Sequence, residues 1–220
     1  MLEAVIFDMD GVIVDSEPWH LEANFELYEE LGFTLSREDY ATFIGKTNSE
    51  MWVFLKSKFA LPQSLPELFQ RQVQKKIQLL QKHEDGLIKG VLPLLNTLRE
   101  KGIPIGLASS SPLEYIETIL KKYQIAEYFQ AVVTGEDMAK GKPAPDIFLH
   151  TAGLLGVKPE NCVVIEDSEN GVKAAKAGAM KCIGFKNINS GGQDLSLADR
   201  IVDSLEDISI DGLQALINRK

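Results

Sequence analysis

Asp8-Met9-Asp10-Gly11 sets two carboxylates two residues apart, directly after the short apolar run Ala4-Val5-Ile6-Phe7. A run that short and rich in β-formers reads as a buried strand. Side chains two apart in an extended segment point the same way. Asp8 and Asp10 are therefore expected to face one spot at the carboxyl end of a strand, where open α/β sheets bind ligands. Gly11 lets the chain turn sharply after them. Converging carboxylates repel, and either a divalent cation or a raised pKa on one of them relieves the strain. A hard cation such as Mg2+ takes carboxylate and carbonyl oxygens and keeps several waters. The pair can then divide the labour, one as nucleophile and the other as general acid/base. The plain alternative is an Asp-Gly turn that happens to start with a second acid, since both are ordinary turn residues.

Three more polar groups fall just past apolar, strand-like runs. Ser109-Ser110-Ser111 follows Gly106-Leu107-Ala108 and precedes Pro112, a common first-turn helix residue. Hydroxyls and free N–H groups at a helix start make an anion site; the simpler alternative is that Ser111 only caps the helix. Lys142 lies in Gly141-Lys142-Pro143-Ala144-Pro145-Asp146, a rigid turn before a helix, where a lone lysine is ordinarily just solvated. Glu166-Asp167-Ser168 follows Val163-Val164-Ile165. Two acids ending a buried strand are less ordinary, because burying such charge is costly unless it is paired or bound to metal. Together these groups supply a nucleophile, an acid/base, a hydroxyl anchor, a counter-charge and metal ligands, the set that phosphoryl transfer through an aspartyl phosphate requires.

The elements that must position them follow from periodicity. Residues 15 to 85 read as helix and loop. Leu21, Phe25, Leu27, Tyr28 and Leu31 recur at helical spacing up to Gly32. Ser36 looks like an N-cap for a short helix that Gly45-Lys46-Thr47 breaks. Met51 to Phe59 suggests another helix, Pro62 and Pro66 frame a turn, and Leu68 to Lys82 is a polar helix with Val73, Ile77 and Leu80 as its apolar stripe. After Gly86 the rhythm changes. Helices are expected over 91–101, 112–123, 145–155 and 170–177, and strands over 103–108, 131–134, 162–165, 181–185 and 200–202. This alternation predicts an α/β, Rossmann-like, mostly parallel sheet covered by helices on both faces. The first strand belongs to it, so residues 1–14 and 86–220 form a discontinuous core and 15–85 an inserted all-helical domain.

Composition narrows the partners. With 45% hydrophobic and 25% charged residues the chain has the make-up of an ordinary globular protein. No apolar run approaches a membrane span, and the start, acidic at Glu3, lacks the basic n-region of a signal peptide. A cytoplasmic protein is expected, with Cys162 and Cys182 as buried thiols rather than a disulfide or metal pair. A net charge of −9 repels nucleic acid and anionic membranes, so neither is expected as a partner. It also repels phosphate esters, which must then be captured by local positive charge. Monomer is the default expectation.

With these motifs in hand, the chain resembles the haloacid dehalogenase-like superfamily of phosphotransferases. Within it, the chain is similar to the branch that carries a helical cap after the first motif and includes β-phosphoglucomutase and sugar-phosphate phosphatases. The likeness covers nearly the whole chain, and the four motifs stand in order: Asp8-Met9-Asp10-Gly11-Val12, Ala108-Ser109-Ser110, Lys142-Pro143 and Glu166-Asp167-Ser168-Glu169-Asn170-Gly171. The resemblance implies that Asp8 attacks phosphorus. It implies that Asp10 protonates the leaving oxygen and then activates water, its carbonyl also binding Mg2+. Asp8 and Asp167 would be carboxylate ligands of the metal, with Glu166 as a supporting acid. Ser109 and the Ser110 backbone would hold phosphate oxygens, and Lys142 would neutralise charge. Residues 15–85 would form the cap, with a hinge beginning at Asp15 and Ser16. His20 falls where the mutase has a cap–core histidine, and Glu17 and Trp19 would line the leaving-group pocket.

Hydrolysis and mutase chemistry share Asp8 and differ in whether water or a second sugar hydroxyl accepts the phosphoryl group. The mutase resemblance predicts a cap arginine shortly after a glycine, to grip a far phosphate bidentately. Gly45-Lys46-Thr47-Asn48-Ser49 has none, and Lys46 would substitute only as a point charge. The expected activity is therefore Mg2+-dependent hydrolysis of a small phosphorylated metabolite, a sugar phosphate in the first instance, with a phosphosugar mutase as the alternative. A receiver-like signalling module, which also clusters aspartates, a hydroxyl and a lysine, is the third reading; the helical insertion and the chain's length argue against it.

Overall fold

The computed structural model describes residues 1–43 and 48–219. The chain divides into two compact units, Met1–Glu17 with Asp85–Lys220, and Pro18–Glu84. The junctions read from the sequence were at 14/15 and 85/86.

The larger unit is built on a six-stranded parallel sheet of order β3-β2-β1-β4-β5-β6. The strands are β1 (Ala4–Phe7), β2 (Ile105–Ser109), β3 (Ala131–Thr134), β4 (Cys162–Glu166), β5 (Lys181–Phe185) and β6 (Arg200–Val202). β1 is central, pairing Val5 with Ile105 on one side and with Val163 on the other. Every residue of β1, β2 and β4 is buried, as continuous apolar strands in a parallel sheet must be. The chain winds from β1 outward through β2 to β3, then returns to the other side of β1 for β4 to β6. That reversal puts a topological switch point at the carboxyl ends of β1 and β4, where such sheets leave a crevice.

Numbered along the whole chain, this unit's helices after the insertion are α5 (Val91–Glu100), α6 (Leu113–Lys122), α7 (Asp146–Leu155), α8 (Glu169–Ala177) and α9 (Ile210–Asn218). α7 and α8 bury Ile147, Phe148, Ala152, Val172, Ala174 and Ala175 against Ala4, Ile6, Ala108, Val164 and Cys182. α5, α6 and α9 pack on β2, β3 and β4. Gly106 in β2 has a packing reason: a Cβ there would meet the Thr151 Cγ2 methyl of α7 at 2.5 Å and Leu155 at 3.2 Å. Cys162 and Cys182 are free, buried thiols. Where the insertion leaves and rejoins the core, Val14 forms an antiparallel bridge with Leu87, and Ile88 N–H donates to the Ile13 carbonyl at 2.9 Å.

The smaller unit holds the rest of α1 (Glu17–Glu30), with α2 (Arg37–Ala41), α3 (Asn48–Lys58) and α4 (Leu65–Lys82); no strand occurs among its described residues. Its core joins Leu27, Tyr28, Phe33, Met51, Trp52, Leu55 and Leu68, with Phe33 stacked on Phe59 at 4.1 Å. Ser36 caps α2 by accepting the Asp39 N–H.

Several expectations need correcting. α4 begins at Leu65, not Leu68, because Ser64 caps it and Pro66 is accommodated in its first turn. Its buried stripe is Leu68, Gln72, Lys76, Leu79 and Leu80, while Val73 and Ile77 are only half-buried. Gln72 goes inside because its amide is satisfied there: Oε1 accepts from Trp52 Nε1 at 3.1 Å and Nε2 donates to Asn24 Oδ1 at 2.7 Å. β2 starts at Ile105 rather than Ile103, since Pro104 has no N–H to give the ladder and only its carbonyl reaches β1. α9 was not expected at all. Ser209 caps the helix on the Gly212 N–H. The break at Gly45-Lys46-Thr47 falls outside the described residues.

The Gly106 contact gives a direct test. Gly106→Ala is expected to destabilise the fold by about 1–3 kcal/mol through overpacking, measured by urea unfolding. Thr151→Ser, which removes the opposing methyl, is expected to recover part of that loss when combined with it. Equal stability of Gly106→Ala and the wild type would show that the α7 face yields freely.

Candidate active site

Because the six strands run parallel, their carboxyl ends share one edge, and that edge gathers the polar residues singled out above. Asp8 follows β1 directly, Ser109 ends β2, and Glu166 ends β4 with Asp167 next. Lys142 is carried back by the connection between β3 and α7. Its ammonium donates to Asp8 Oδ1 at 2.5 Å, to Glu166 Oε1 at 2.7 Å and to the Ala108 carbonyl at 3.4 Å, and it lies 4.8 Å from the Phe148 ring centroid. The Lys142 and Asp8 side chains are each 8% exposed and that of Glu166 1%. The lysine is thus no solvated loop residue. All three of its protons are committed inside the site.

Glu166 is held as firmly. Its Oε2 accepts from the Ser168 N–H at 2.7 Å and the Ser168 hydroxyl at 2.9 Å, while Oε1 faces Lys142. A side chain at Gly171 would overlap this carboxylate, so the glycine leaves its space. Glu166 therefore spends both oxygens on placing the lysine and the start of α8.

Asp10 points into a cradle of hydroxyls. Oδ1 accepts from Ser16 at 2.5 Å, and Oδ2 accepts from Ser111 at 2.7 Å and, more weakly, from Ser109 at 3.4 Å. Ser111 does not cap the following helix. Pro112 is the N-cap of α6 without a side-chain bond, and the Ser111 hydroxyl is turned to Asp10 instead. Ser109 is fully buried and its oxygen accepts the Ser111 N–H at 3.0 Å. Ser110 is exposed, with its backbone packed beside Gly135.

The electrostatics are unbalanced. Three buried carboxylates, Asp8, Glu166 and Asp167, face one ammonium. Burial, opposed by Lys142 and reinforced by Glu166 and Asp10, pushes the Asp8 pKa up to about 8. Burial also raises Asp167 well above the usual carboxylate range, helped by Glu166 and Asp8 and opposed by the Ser190 hydroxyl and Lys142. Burial works against the charge of Lys142, but Asp8 and Glu166 outweigh it and hold the ammonium protonated. Among the described residues, no hydrogen-bond donor reaches Asp8 Oδ2 or Asp167 Oδ1. Surplus negative charge with two carboxylate oxygens left over is a donor set that suits a hard cation. No group of three His, Cys, Asp or Glu side chains is arranged as metal ligands among those residues. Mg2+ does not need one, since one or two carboxylates and several waters are its usual protein site.

The structure thus brings Asp8, Asp10, Ser109, Lys142, Glu166 and Asp167 together and leaves the Ser110 side chain outside. Glu17 is exposed at the first turn of α1. His20 is buried on α1 within the smaller unit, and Lys46 lies outside the described residues. Sequence reasoning missed Ser111 as a partner of Asp10. It also missed Asn187, Asn189 and Ser190, which follow β5 at the same sheet edge and bond to Asp15, Gly11 and Asp167. Their one sequence signal is a polar cluster just past an apolar strand, and loops everywhere share it.

Comparison with known proteins places the chain in a family. The family model for haloacid dehalogenase-like hydrolases matches residues 2–178. Hexitol phosphatase B of Escherichia coli (strain K12) is 34% identical over 183 residues, which cover 82% of each chain. Beta-phosphoglucomutase of Bacillus subtilis is 33% identical over 217 residues, 96% of this chain and 93% of that one. Among solved structures, CbbY from Rhodobacter sphaeroides in complex with phosphate superposes with a TM-score of 0.89 at 26% identity, over 97% of this chain and all of that one. Its motifs, its sheet and these matches together make the chain a member of the haloacid dehalogenase-like hydrolases.

Proposed function

We propose that the protein is a phosphatase of small phosphorylated carbohydrates, working through an aspartyl phosphate on Asp8. The observation that carries this reading is the ion pair of Lys142 with Asp8 at the switch point, beside an Asp10 carboxyl cradled by serine hydroxyls. An Asp8 carboxylate oxygen attacks the substrate phosphorus. The ester oxygen leaves with a proton from Asp10. Asp10, now a carboxylate, takes a proton from water, whose oxygen attacks the same phosphorus and breaks its bond to Asp8, releasing phosphate. Serine hydroxyls can donate to a carboxylate and accept from a carboxylic acid, so the Ser16 and Ser111 cradle tolerates both states of Asp10. Lys142 offsets the negative charge of the nucleophile and of the oxygens around phosphorus, and Glu166 keeps its ammonium in place. Ser109 and the Ser110 backbone hold phosphate oxygens. Mg2+, held by Asp8, Asp167 and the Asp10 carbonyl, would supply further charge neutralisation at the transferring group. The helical unit Pro18–Glu84 would act as the cap that screens substrates, with Glu17, His20 and Lys46 as its candidate contacts.

Relatives named as phosphatases of hexitols and of phosphorylated carbohydrates support hydrolysis. The mutase reading has support too, since a beta-phosphoglucomutase is nearly as similar. The absence of arginine from Gly45-Lys46-Thr47-Asn48-Ser49 favours water as the acceptor. The assay is a panel of hexose and hexitol phosphates with Mg2+, following phosphate release. Asp8→Asn is expected to lose on the order of 10⁴-fold or more in turnover, the scale of removing a covalent nucleophile; retained activity would refute Asp8 in that role. β-Glucose 1-phosphate separates the two acceptors: free phosphate is expected, and formation of glucose 6-phosphate would establish the mutase instead.

The charge imbalance predicts a pH effect. A carboxylic acid with a raised folded pKa holds its proton more tightly in the folded protein. It therefore costs no stability below its unfolded pKa of about 4, and the cost is complete only above about 8 for Asp8. The Tm of metal-free protein is expected to fall as pH rises through that window, and added Mg2+ to raise it most at the alkaline end. A stabilisation by Mg2+ that is equal at both ends would separate the metal from these carboxylates.

A further inference from the structure

The loop after β5 touches both halves of the site through the polar side chains of Asn187, Asn189 and Ser190. Asn187 Nδ2 donates to the Gly11 carbonyl at 3.0 Å and to Asp15 Oδ1 at 3.3 Å. Asn189 Nδ2 donates to Asp15 Oδ2 at 2.5 Å. The Ser190 hydroxyl donates to Asp167 Oδ2. Asn187 Oδ1 accepts the Asn189 N–H at 2.8 Å. Gln193 ties the loop to the start of α8, its Oε1 accepting the Glu169 N–H and its Nε2 donating to the Ser190 carbonyl, both at 3.0 Å. A Cβ on Gly11 would overlap Asp167 Oδ2 and come 2.9 Å from Ser190 Oγ, so these three residues meet without room for another atom. The Asp8–Asp10 loop and the Asp167 loop come off neighbouring strands, and the Asp8 N–H, donating to the Ile165 carbonyl at 3.0 Å, is the last rung of the ladder between them among the described residues. Beyond that rung, and apart from Lys142 between Asp8 and Glu166, the loop after β5 adds side-chain bonds to both segments.

We propose that residues 187–190 form a clasp that sets the metal affinity of the site, with Ser190 as the positioning residue for Asp167. The proposal rests on the phosphatase reading above, in which Asp167 is a ligand of Mg2+. The Ser190 hydroxyl donates to Oδ2 and restrains the carboxylate, which leaves Oδ1 as the oxygen that would ligate a cation. Hydrogen bonds of this kind, one step removed from a metal, ordinarily govern its affinity.

The test is calorimetric titration of metal-stripped full-length protein with Mg2+, with turnover measured alongside across Mg2+ concentrations. Ser190→Ala is expected to bind Mg2+ about 10- to 100-fold more weakly. The Mg2+ concentration for half-maximal turnover should rise in step, while kcat at saturating Mg2+ stays near wild type. Ser190→Thr, which keeps the hydroxyl, should restore binding. Ser190→Cys, of similar shape but a poorer donor, should fall between and carries the test if the alanine variant does not fold. Wild-type Mg2+ affinity in both Ser190→Ala and Ser190→Cys would overturn the clasp while leaving the phosphatase reading intact. Wild-type protein that binds no Mg2+ would overturn both. A lowered kcat with unchanged metal binding would make the loop merely structural and also refute the proposal.

Discussion

One ammonium facing three buried carboxylates is the constraint on which the rest of this architecture depends. Lys142 lies within hydrogen-bond reach of both Asp8 and Glu166, and those two outweigh the burial that would otherwise neutralise it. The lysine cannot balance the third acid, Asp167. A parallel sheet can place these groups together because its strands deliver their ends to one edge, with backbone polar groups already paired inside the ladder. The glycines follow from the same crowding. Gly171 in the first turn of α8 leaves space for Glu166 and Gly11 in its turn leaves space for Asp167, so two glycines mark close approaches in the site.

The division of labour between Glu166 and Asp167 shows how adjacent, chemically similar residues acquire different tasks. Along β4 and just beyond it, successive side chains diverge. Glu166 turns toward Lys142 and Ser168, whereas Asp167 turns toward Gly11 and Ser190. The first is consumed by internal hydrogen bonds and acts through the lysine. The second keeps one oxygen unclaimed by the described residues. The smaller unit uses the same economy on a structural scale, since Gln72 enters its core only because Trp52 and Asn24 complete its bonds.

Much of this was legible in the chain. The strands expected at 4–7, 131–134 and 181–185 form over those same residues, and the acids at the ends of the first and fourth lie where strand direction requires. Periodicity failed where packing broke its assumption. Of the α4 stripe expected at Val73, Ile77 and Leu80, only Leu80 is fully buried, and a satisfied glutamine and a lysine join the leucines in the buried row. α9, which Ser209 caps, lies beyond the last element read from the sequence at Val202. Within the site, residues that end strands were found and residues that support them were not. Ser111, Asn187 and Ser190 matter through partners more than seventeen residues away in sequence, and local composition carries no trace of such a pairing. The nearest of these partnerships spans 23 positions, from Asp167 to Ser190.

The bridge of Val14 with Leu87, reinforced by the Ile88 to Ile13 hydrogen bond, has a consequence for how such a chain can change. It makes a short stem whose two sides belong to the core, so whatever lies between them begins and ends at the same place. Closing a loop costs only slowly more as it lengthens. An insertion rooted in a stem of this kind can be exchanged, shortened or enlarged while the sheet beneath keeps its own register.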